Sequence, residues 1–140
     1  MTGVVVVGVD GSEGAGVALV WAADEARLRK ARLRAVHVWS YLDQAGEAFD
    51  PTYGEDDALR LLQEAVAGLG DDVDVELKTV CDLPARGLLD SARDADLLVV
   101  GARGMGGFQG LLLGSASQQV AQHAPCPVVI VPRQEESPAT

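Results

Sequence analysis

Two hydrophobic periods alternate along the chain. Short runs of consecutive apolar residues, such as Val4–Val9, are typical of parallel strands that are buried on both faces. Between these runs, apolar residues return every three or four positions, which is typical of helices that bury one face. The predicted strands cover residues 4–9, 33–39, 73–80 and 97–100 and a last segment within 127–132, and the predicted helices cover residues 13–32, 55–70, 82–92 and 115–123.

This order of elements predicts an α/β fold, a doubly wound, Rossmann-like parallel sheet of five strands with four helices in one domain. The segment Val73–Val80 alternates apolar and polar residues, which predicts a strand at an edge of the sheet. A sheet of this kind has one reversal of strand order, and ligands bind there at the carboxyl ends of the strands. We expect the first and fourth strands to flank the reversal, which would bring Asp10 and Gly101 together.

Several side chains allow two interpretations. Asp10 and Ser12 follow the first strand and are expected to cap the first helix, but the position of Asp10 favours a ligand site. His37 lies alone within the second strand and is interpreted as a packed or hydrogen-bonded residue rather than a catalyst. The apolar residues that recur at helical spacing predict the buried face of the first helix; they are Val17, Val20, Trp21, Ala22 and Leu28.

The fourth strand is followed by a glycine-rich loop and then by a helix that begins at Ser115. A strand, a glycine-rich loop and a helix start bring backbone N–H groups to the positive end of a helix dipole, where phosphate binds. A flexible connector is the alternative, but Gly101, Gly104 and Gly114 follow the spacing G-x2-G-x9-G-[ST]. A Walker A loop is excluded because neither lysine of the chain lies in a glycine loop, and the first strand leads into no G-x-G-x-x-G sequence.

Charge and composition exclude some classes of binding partner and favour others. The chain has 140 residues, which suits one domain, and a formal net charge of -10, which opposes binding to nucleic acid or to an anionic membrane. No Asp or Glu occurs between Leu97 and Gln134, which suits a site for a polyphosphate. We expect a cytoplasmic protein, since no apolar run approaches a membrane span and no basic leader precedes the first strand. The two cysteines predict neither a disulfide framework nor a metal site.

Four segments together resemble the universal stress protein family: VVVVGVDGS at 4–12, AVHVW at 35–39, DADLLVVGARGMGGFQGLLLGSASQQV at 94–120 and HAPCPVVIVP at 123–132. The resemblance implies a domain over residues 1–133 with sheet order 3-2-1-4-5, similar to the adenine nucleotide alpha hydrolase-like fold, and we expect a disordered tail over 134–140. It also implies membership of the ATP-binding subgroup and a homodimer formed through the last strand, Val128–Val131. An exposed apolar edge strand supports such pairing.

The resemblance also implies an ATP site, position by position. Asp10 would contact the adenosine, Val38 would line the adenine pocket, and Val100 and Gly101 would pass beneath the ribose. The phosphates would be held by Gly104, Gly114, Ser115, Ala116 and Ser117. A phosphate contact by Arg103 is our inference from its charge, and Asp10 is the evident acid for Mg²⁺ if the metal accompanies ATP. Gly8 departs from those ATP-binding relatives that carry proline at this position.

Three functions follow from these observations. The first is an ATP-binding, homodimeric regulatory module of the stress response, with a protein partner that the sequence does not identify. The second is a weak ATPase or autophosphorylating enzyme that uses Ser115 or Ser117. It is less favoured because efficient phosphoryl transfer needs cations and an oriented nucleophile, and the loop carries no lysine and no nearby base. The third is a dimeric interaction scaffold that binds no nucleotide.

Overall fold

The computed structural model describes residues 3–39, 52–102 and 115–132, with Ser115 described by its backbone alone. Within these residues, strands and helices alternate along the chain: β1 (Val4–Gly8), α1 (Glu13–Arg29), β2 (Arg32–Trp39), α2 (Glu55–Val66), β3 (Val75–Cys81), α3 (Pro84–Ser91), β4 (Leu97–Gly101), α4 (Ser115–His123) and β5 (Val128–Val131). The predicted disordered tail and the central part of the glycine-rich loop lie outside the described residues.

The sheet has the order β3-β2-β1-β4-β5, and each neighbouring pair is parallel. This confirms the predicted order, with β1 in the centre, β4 beside it and β3 at an edge. In the register of β1, Val5 is paired with Leu33 of β2 on one side and with Leu97 of β4 on the other. The carboxyl ends of β1 and β4 therefore lie next to each other.

Helices cover both faces of this sheet. Val5 and Val7 of β1 pack into one apolar cluster with α1 and α2, and Val6 packs into a second cluster with α3 and Val120 of α4. Successive side chains of a strand point to opposite faces, so each residue of β1 meets a helix layer. This explains the uninterrupted apolar run in β1, which the sequence analysis interpreted correctly.

The buried face of α1 differs from the predicted one. Small residues face the sheet, with Ala18, Ala22 and Ala26 fully buried, whereas Val20 is 55% exposed and Leu28 81% exposed. Alanines allow a helix to lie close to the strands beneath it. Leu19, at 2% exposure, joins them in the core, and Val17 packs against it. Only Ala22 of the predicted stripe is fully buried, and Trp21, at 37% exposure, lies outside the core.

The first helix is also shorter than predicted. It ends at Arg29, because Lys30 adopts a left-handed conformation (φ 55°) and its N–H donates to backbone carbonyls of the last turn. Arg32, which the sequence analysis placed in the helix, is the first residue of β2. This early end leaves the turn to β2 only two residues long.

An ion cluster fixes the end of α3. The Arg34 side chain is largely buried, and its guanidinium donates to the carboxylate of Asp94 at 2.7 Å and to the Ser91 carbonyl at 2.9 Å. The Glu76 carboxylate of β3 lies 3.1 Å away from Arg34 Nε. The hydrogen bond from Arg34 lowers the pKa of the Asp94 carboxyl. The cluster thus ties the carboxyl end of α3 to β2 and β3.

Among the described residues, no helix is long and apolar enough to cross a membrane.

Two helical glycines give opposite expectations for substitution by alanine. A Cβ at Gly87 of α3 would lie 2.7 Å from both methyl groups of Val38, whereas a Cβ at Gly16 of α1 would meet nothing within 4 Å. We expect Gly87→Ala to destabilise the protein by about 1–3 kcal/mol through overpacking. The exposed control Gly16→Ala is expected to stabilise it by about 0.5–1 kcal/mol through helix propensity. Urea unfolding measures both changes.

Adding Val38→Ala to Gly87→Ala removes the two methyl groups and is expected to restore part of the lost free energy of unfolding. A Gly87→Ala protein as stable as the parent would contradict the close contact between α3 and β2.

Candidate functional site

A cleft opens at the carboxyl ends of the central strands. It lies where β1 and β4 pair with each other. The helix that follows β1, α1, packs on one face of the sheet, and the helix that follows β4, α4, packs on the other. This is the place where open α/β sheets bind ligands. The cleft is lined by six of the predicted site residues: Asp10, Val38, Val100, Gly101, Ala116 and Ser117.

The turn after β1 orients Asp10. The Asp10 carboxylate accepts hydrogen bonds from the backbone N–H of Ser12 at 2.9 Å and from the Ser12 hydroxyl at 2.5 Å. The Ser12 oxygen in turn accepts from the N–H of Ala15 at 3.1 Å and is the N-cap of α1. Ser12 is therefore the cap, and Asp10 lines the cleft with its carboxylate held by that cap.

The other side of the cleft is formed where β4 ends and α4 begins. A Cβ at Gly101 would lie 3.0 Å from the backbone carbon and oxygen of Gly14, so a larger residue would press on the first turn of α1 where it crosses β4. The Ser117 hydroxyl donates to the Gly101 carbonyl at 2.7 Å, and Ser117 is only 7% exposed. This bond ties the first turn of α4 to the end of β4.

Apolar side chains form one wall of the cleft. Val38 at the end of β2 packs against Gly87 of α3, and Leu88 of the same helix lies over β1. The methyl groups of Leu88 would be 3.1 and 3.2 Å from a Cβ at Gly8. Leu88 thus occupies the space that a larger residue at position 8 would need.

His37 is buried beside this wall and is 7% exposed. Its Nδ1 lies 2.8 Å from the Val9 carbonyl and its Nε2 lies 2.8 Å from the Tyr53 hydroxyl. A carbonyl only accepts, so Nδ1 carries the proton, and in the neutral ring Nε2 accepts from Tyr53. Burial lowers the pKa of His37, while the bond to Val9 and the Asp10 carboxylate oppose this shift. The interpretation of His37 as a hydrogen-bonded core residue is confirmed.

Four of the predicted site residues cannot be placed in the cleft. Arg103, Gly104 and Gly114 lie outside the described residues, and Ser115 is described only as the first residue of α4. Within the described part of the chain, no group of three or more His, Cys, Asp or Glu side chains could hold a metal ion. The role of Asp10 toward Mg²⁺ stays a prediction.

The sequence analysis missed the contribution of α3. Pro84 and Leu88 line the cleft, although the helix was predicted only as a core element. Leu88 serves the core and the cleft together. No local pattern marks this double role, because it depends on α3 crossing from the β3 edge to the centre of the sheet.

Comparison with known proteins agrees with this architecture. A model of the universal stress protein family matches residues 1–132. A universal stress protein of Mycolicibacterium smegmatis is 42% identical over 132 residues, which cover 91% of this chain and 45% of that protein. Universal stress protein Rv2623 of Mycobacterium tuberculosis is 39% identical over 130 residues, with 44% of its length covered. The chain therefore spans about half the length of the curated relatives it matches.

Two solved structures of similar fold are matched over nearly their whole length. A universal stress protein crystallised in complex with cAMP has a TM-score of 0.67 at 30% identity, with 92% of this chain and 95% of that chain covered. Universal stress protein UspA from Lactobacillus plantarum has a TM-score of 0.74 at 28% identity, with coverages of 92% and 97%.

The environment of His37 predicts a pH dependence of stability. Its folded pKa lies below the ordinary value of 6.5, so the unfolded chain binds a proton first as the pH falls. The free energy of unfolding is therefore greatest above the unfolded pKa and decreases as the pH falls through the folded pKa. Titration of His37 alone can change the free energy of unfolding by at most about 1.4 kcal/mol per pH unit. Urea unfolding between about pH 7.5 and about pH 5 measures it.

His37→Asn is expected to flatten this decrease, whereas His123→Gln, at the exposed end of α4, leaves it unchanged. An equal decrease in the parent and in His37→Asn would show that other groups cause it.

Proposed function

The chain belongs to the universal stress protein family, and from this premise we propose that its cleft binds an adenine nucleotide, ATP in the first place, and that the protein acts as a nucleotide-dependent regulatory module. One observation carries the proposal. The reversal of strand order between β1 and β4 brings the Asp10 carboxylate, the apolar Val38 wall and the start of α4 around a single cleft.

The two sides of the cleft suit the two ends of a nucleotide. The wall formed by Val38, Leu88 and Val100 offers apolar surface to a planar base. Asp10 lies at the end of β1, where its carboxylate can accept a hydrogen bond from a ribose hydroxyl. The solved relative that contains cAMP, at 30% identity, supports an adenine nucleotide as the ligand.

The phosphates would extend toward the start of α4. The dipole of α4 favours an anion at its first turn, where Ala116 and Ser117 line the cleft. The signature glycines Gly104 and Gly114 precede this turn in the sequence, and Arg103 would add a positive charge. The absence of Asp and Glu from residues 97–134 removes repulsion from this end of the site.

A regulatory role is favoured over turnover. The Ser117 hydroxyl already donates its proton to the Gly101 carbonyl, so it is not oriented for attack on a phosphoryl group. A single-turnover assay with labelled ATP tests this preference. Hydrolysis no faster than in Gly114→Asp, which places a carboxylate in the signature loop, would agree with a module that binds ATP without using it.

A homodimer through β5 completes the proposal. β5 is the last strand in the sheet order, and Val128, Val129 and Ile130 are half-buried. In the described part of the chain, no strand pairs with the side of β5 that faces away from β4. An apolar edge strand of this kind suits pairing with a second copy.

Asp10→Asn tests the nucleotide site. The amide oxygen can still accept from the Ser12 N–H, so the turn is kept while the negative charge is removed. We expect ATP affinity, measured by isothermal titration in the presence of Mg²⁺, to fall about 10- to 100-fold, since hydrogen bonds to charged groups contribute about 1.5–3 kcal/mol.

Asp90→Asn is the matched control, because this carboxylate is exposed on α3 and pairs with Arg93 on the surface. Its affinity should equal that of the parent. Titrations with ADP, AMP and cAMP rank the ligands, and a folded parent protein that binds none of the four would contradict the proposal.

Ile130→Pro tests the dimer. The N–H of Leu98 donates to the Pro127 carbonyl and that of Ala102 to the Val131 carbonyl, so the N–H of Ile130 points to the open edge. Proline removes this donor without removing a bond to β4, and we expect a monomer. Ile130→Ala keeps the N–H and should remain a dimer. Light scattering at micromolar concentration measures both, and a monomeric parent protein would contradict the proposal.

A further inference from the structure

A chain of hydrogen bonds runs from the segment before α2 to the floor of the cleft. The Tyr53 hydroxyl donates to His37 Nε2 at 2.8 Å, and His37 Nδ1–H donates to the Val9 carbonyl at 2.8 Å. The Val9 carbonyl is part of the peptide group that joins Val9 to Asp10. The polar groups at both ends of the imidazole are thus matched, one as donor and one as acceptor.

We propose that His37 is a positioning residue for the nucleotide site. It fixes the Val9–Asp10 peptide from one side while Ser12 fixes the Asp10 carboxylate from the other, and the hydrogen bond from the Tyr53 hydroxyl holds the imidazole ring in place. The proposal rests on the proposed nucleotide site and adds to it two residues that do not line the cleft. Asp10 is held at two points, which reduces the orientations open to its carboxylate before a ligand arrives.

Packing holds the side chains of His37 and Tyr53 in place. The Tyr53 ring meets the His37 ring edge to face, with centroids 6.0 Å apart, and meets the Trp39 ring at 5.9 Å. Next to Tyr53, the N–H of Gly54 donates to the Asp57 carboxylate at 3.0 Å, which caps the start of α2. Burial raises the pKa of Tyr53, with a further contribution from Asp57, so the hydroxyl keeps its proton at neutral pH. The donor that His37 Nε2 needs is therefore present.

Two variants at position 37 separate positioning from mere packing. Asparagine places an N–H near the position of Nδ1 and can still donate to the Val9 carbonyl, whereas leucine fills the space without a donor. We expect His37→Leu to weaken ATP binding about 10-fold and His37→Asn to stay within about 3-fold of the parent, as isothermal titration measures. Leu62→Ala, in the core under α2, is the control for lost stability and should bind ATP like the parent.

Nuclear magnetic resonance tests the same inference without nucleotide. The chain has two histidines, so His123→Gln assigns the imidazole signals, and the nitrogen shifts of His37 should show the Nδ1–H tautomer. The Ser12 amide, which donates to the Asp10 carboxylate, should be protected from hydrogen exchange in the parent and in His37→Asn. In His37→Leu it should exchange about 10-fold faster, relative to core amides of β1.

An Nε2–H tautomer would overturn the inference, as would unchanged Ser12 exchange and unchanged ATP affinity in His37→Leu. If His37→Leu does not fold, Tyr53→Phe replaces it, since it keeps the ring and removes only the hydroxyl that holds the imidazole. A Ser12 exchange rate and an ATP affinity both equal to those of the parent would then overturn the inference. A parent protein that binds no adenine nucleotide, yet shows the Nδ1–H tautomer and a Ser12 amide sensitive to His37→Leu, would refute the proposed function and support the positioning of Asp10.

Discussion

The site depends on one topological constraint, the parallel pairing of β1 with β4. The two strands end side by side, but α1 belongs to one face of the sheet and α4 to the other, so among residues 3–39, 52–102 and 115–132 no helix covers the space between the strand ends. The close approach of Gly101 to the backbone of Gly14 keeps this junction narrow. The bond from Ser117 to the Gly101 carbonyl then holds α4 against β4. The cleft is therefore a product of chain order and small residues rather than of a special loop alone.

The side chains around the cleft are held by hydrogen bonds and packing contacts with their neighbours. Asp10 is supported by Ser12 and by the His37 bond to Val9, and the Val38 wall is backed by Gly87 of α3. At the other end of the sheet, Arg34 ties the end of α3 to β2, which helps to keep that helix against the wall. A ligand that meets such a site finds its contact groups already oriented, and less ordering entropy is lost on binding.

The sequence was sufficient to predict the strand order and six residues that line the cleft. The spacing of apolar residues indicates the strands and helices, and the family resemblance implies their order in the sheet. The sequence was not sufficient for the packing between elements. The buried face of α1 was predicted to include Val20 and Leu28, yet it consists mainly of alanines together with Leu19, since distance to the sheet decides which residues fit. The role of Leu88 and the bond between Tyr53 and His37 join residues from separate elements, and no local pattern indicates such pairs. Arg103, Gly104 and Gly114 lie outside the described residues, so their roles remain predictions.

Analysis of the small molecules released from the purified protein tests the central claim most directly. The protein would be denatured, the released compounds separated on a calibrated column, and a nucleotide-free sample titrated with ATP and Mg²⁺. The account predicts either a co-purified adenine nucleotide or saturable binding of one ATP per chain. A folded protein that neither releases an adenine nucleotide nor binds ATP would contradict it and would favour a dimeric scaffold without nucleotide.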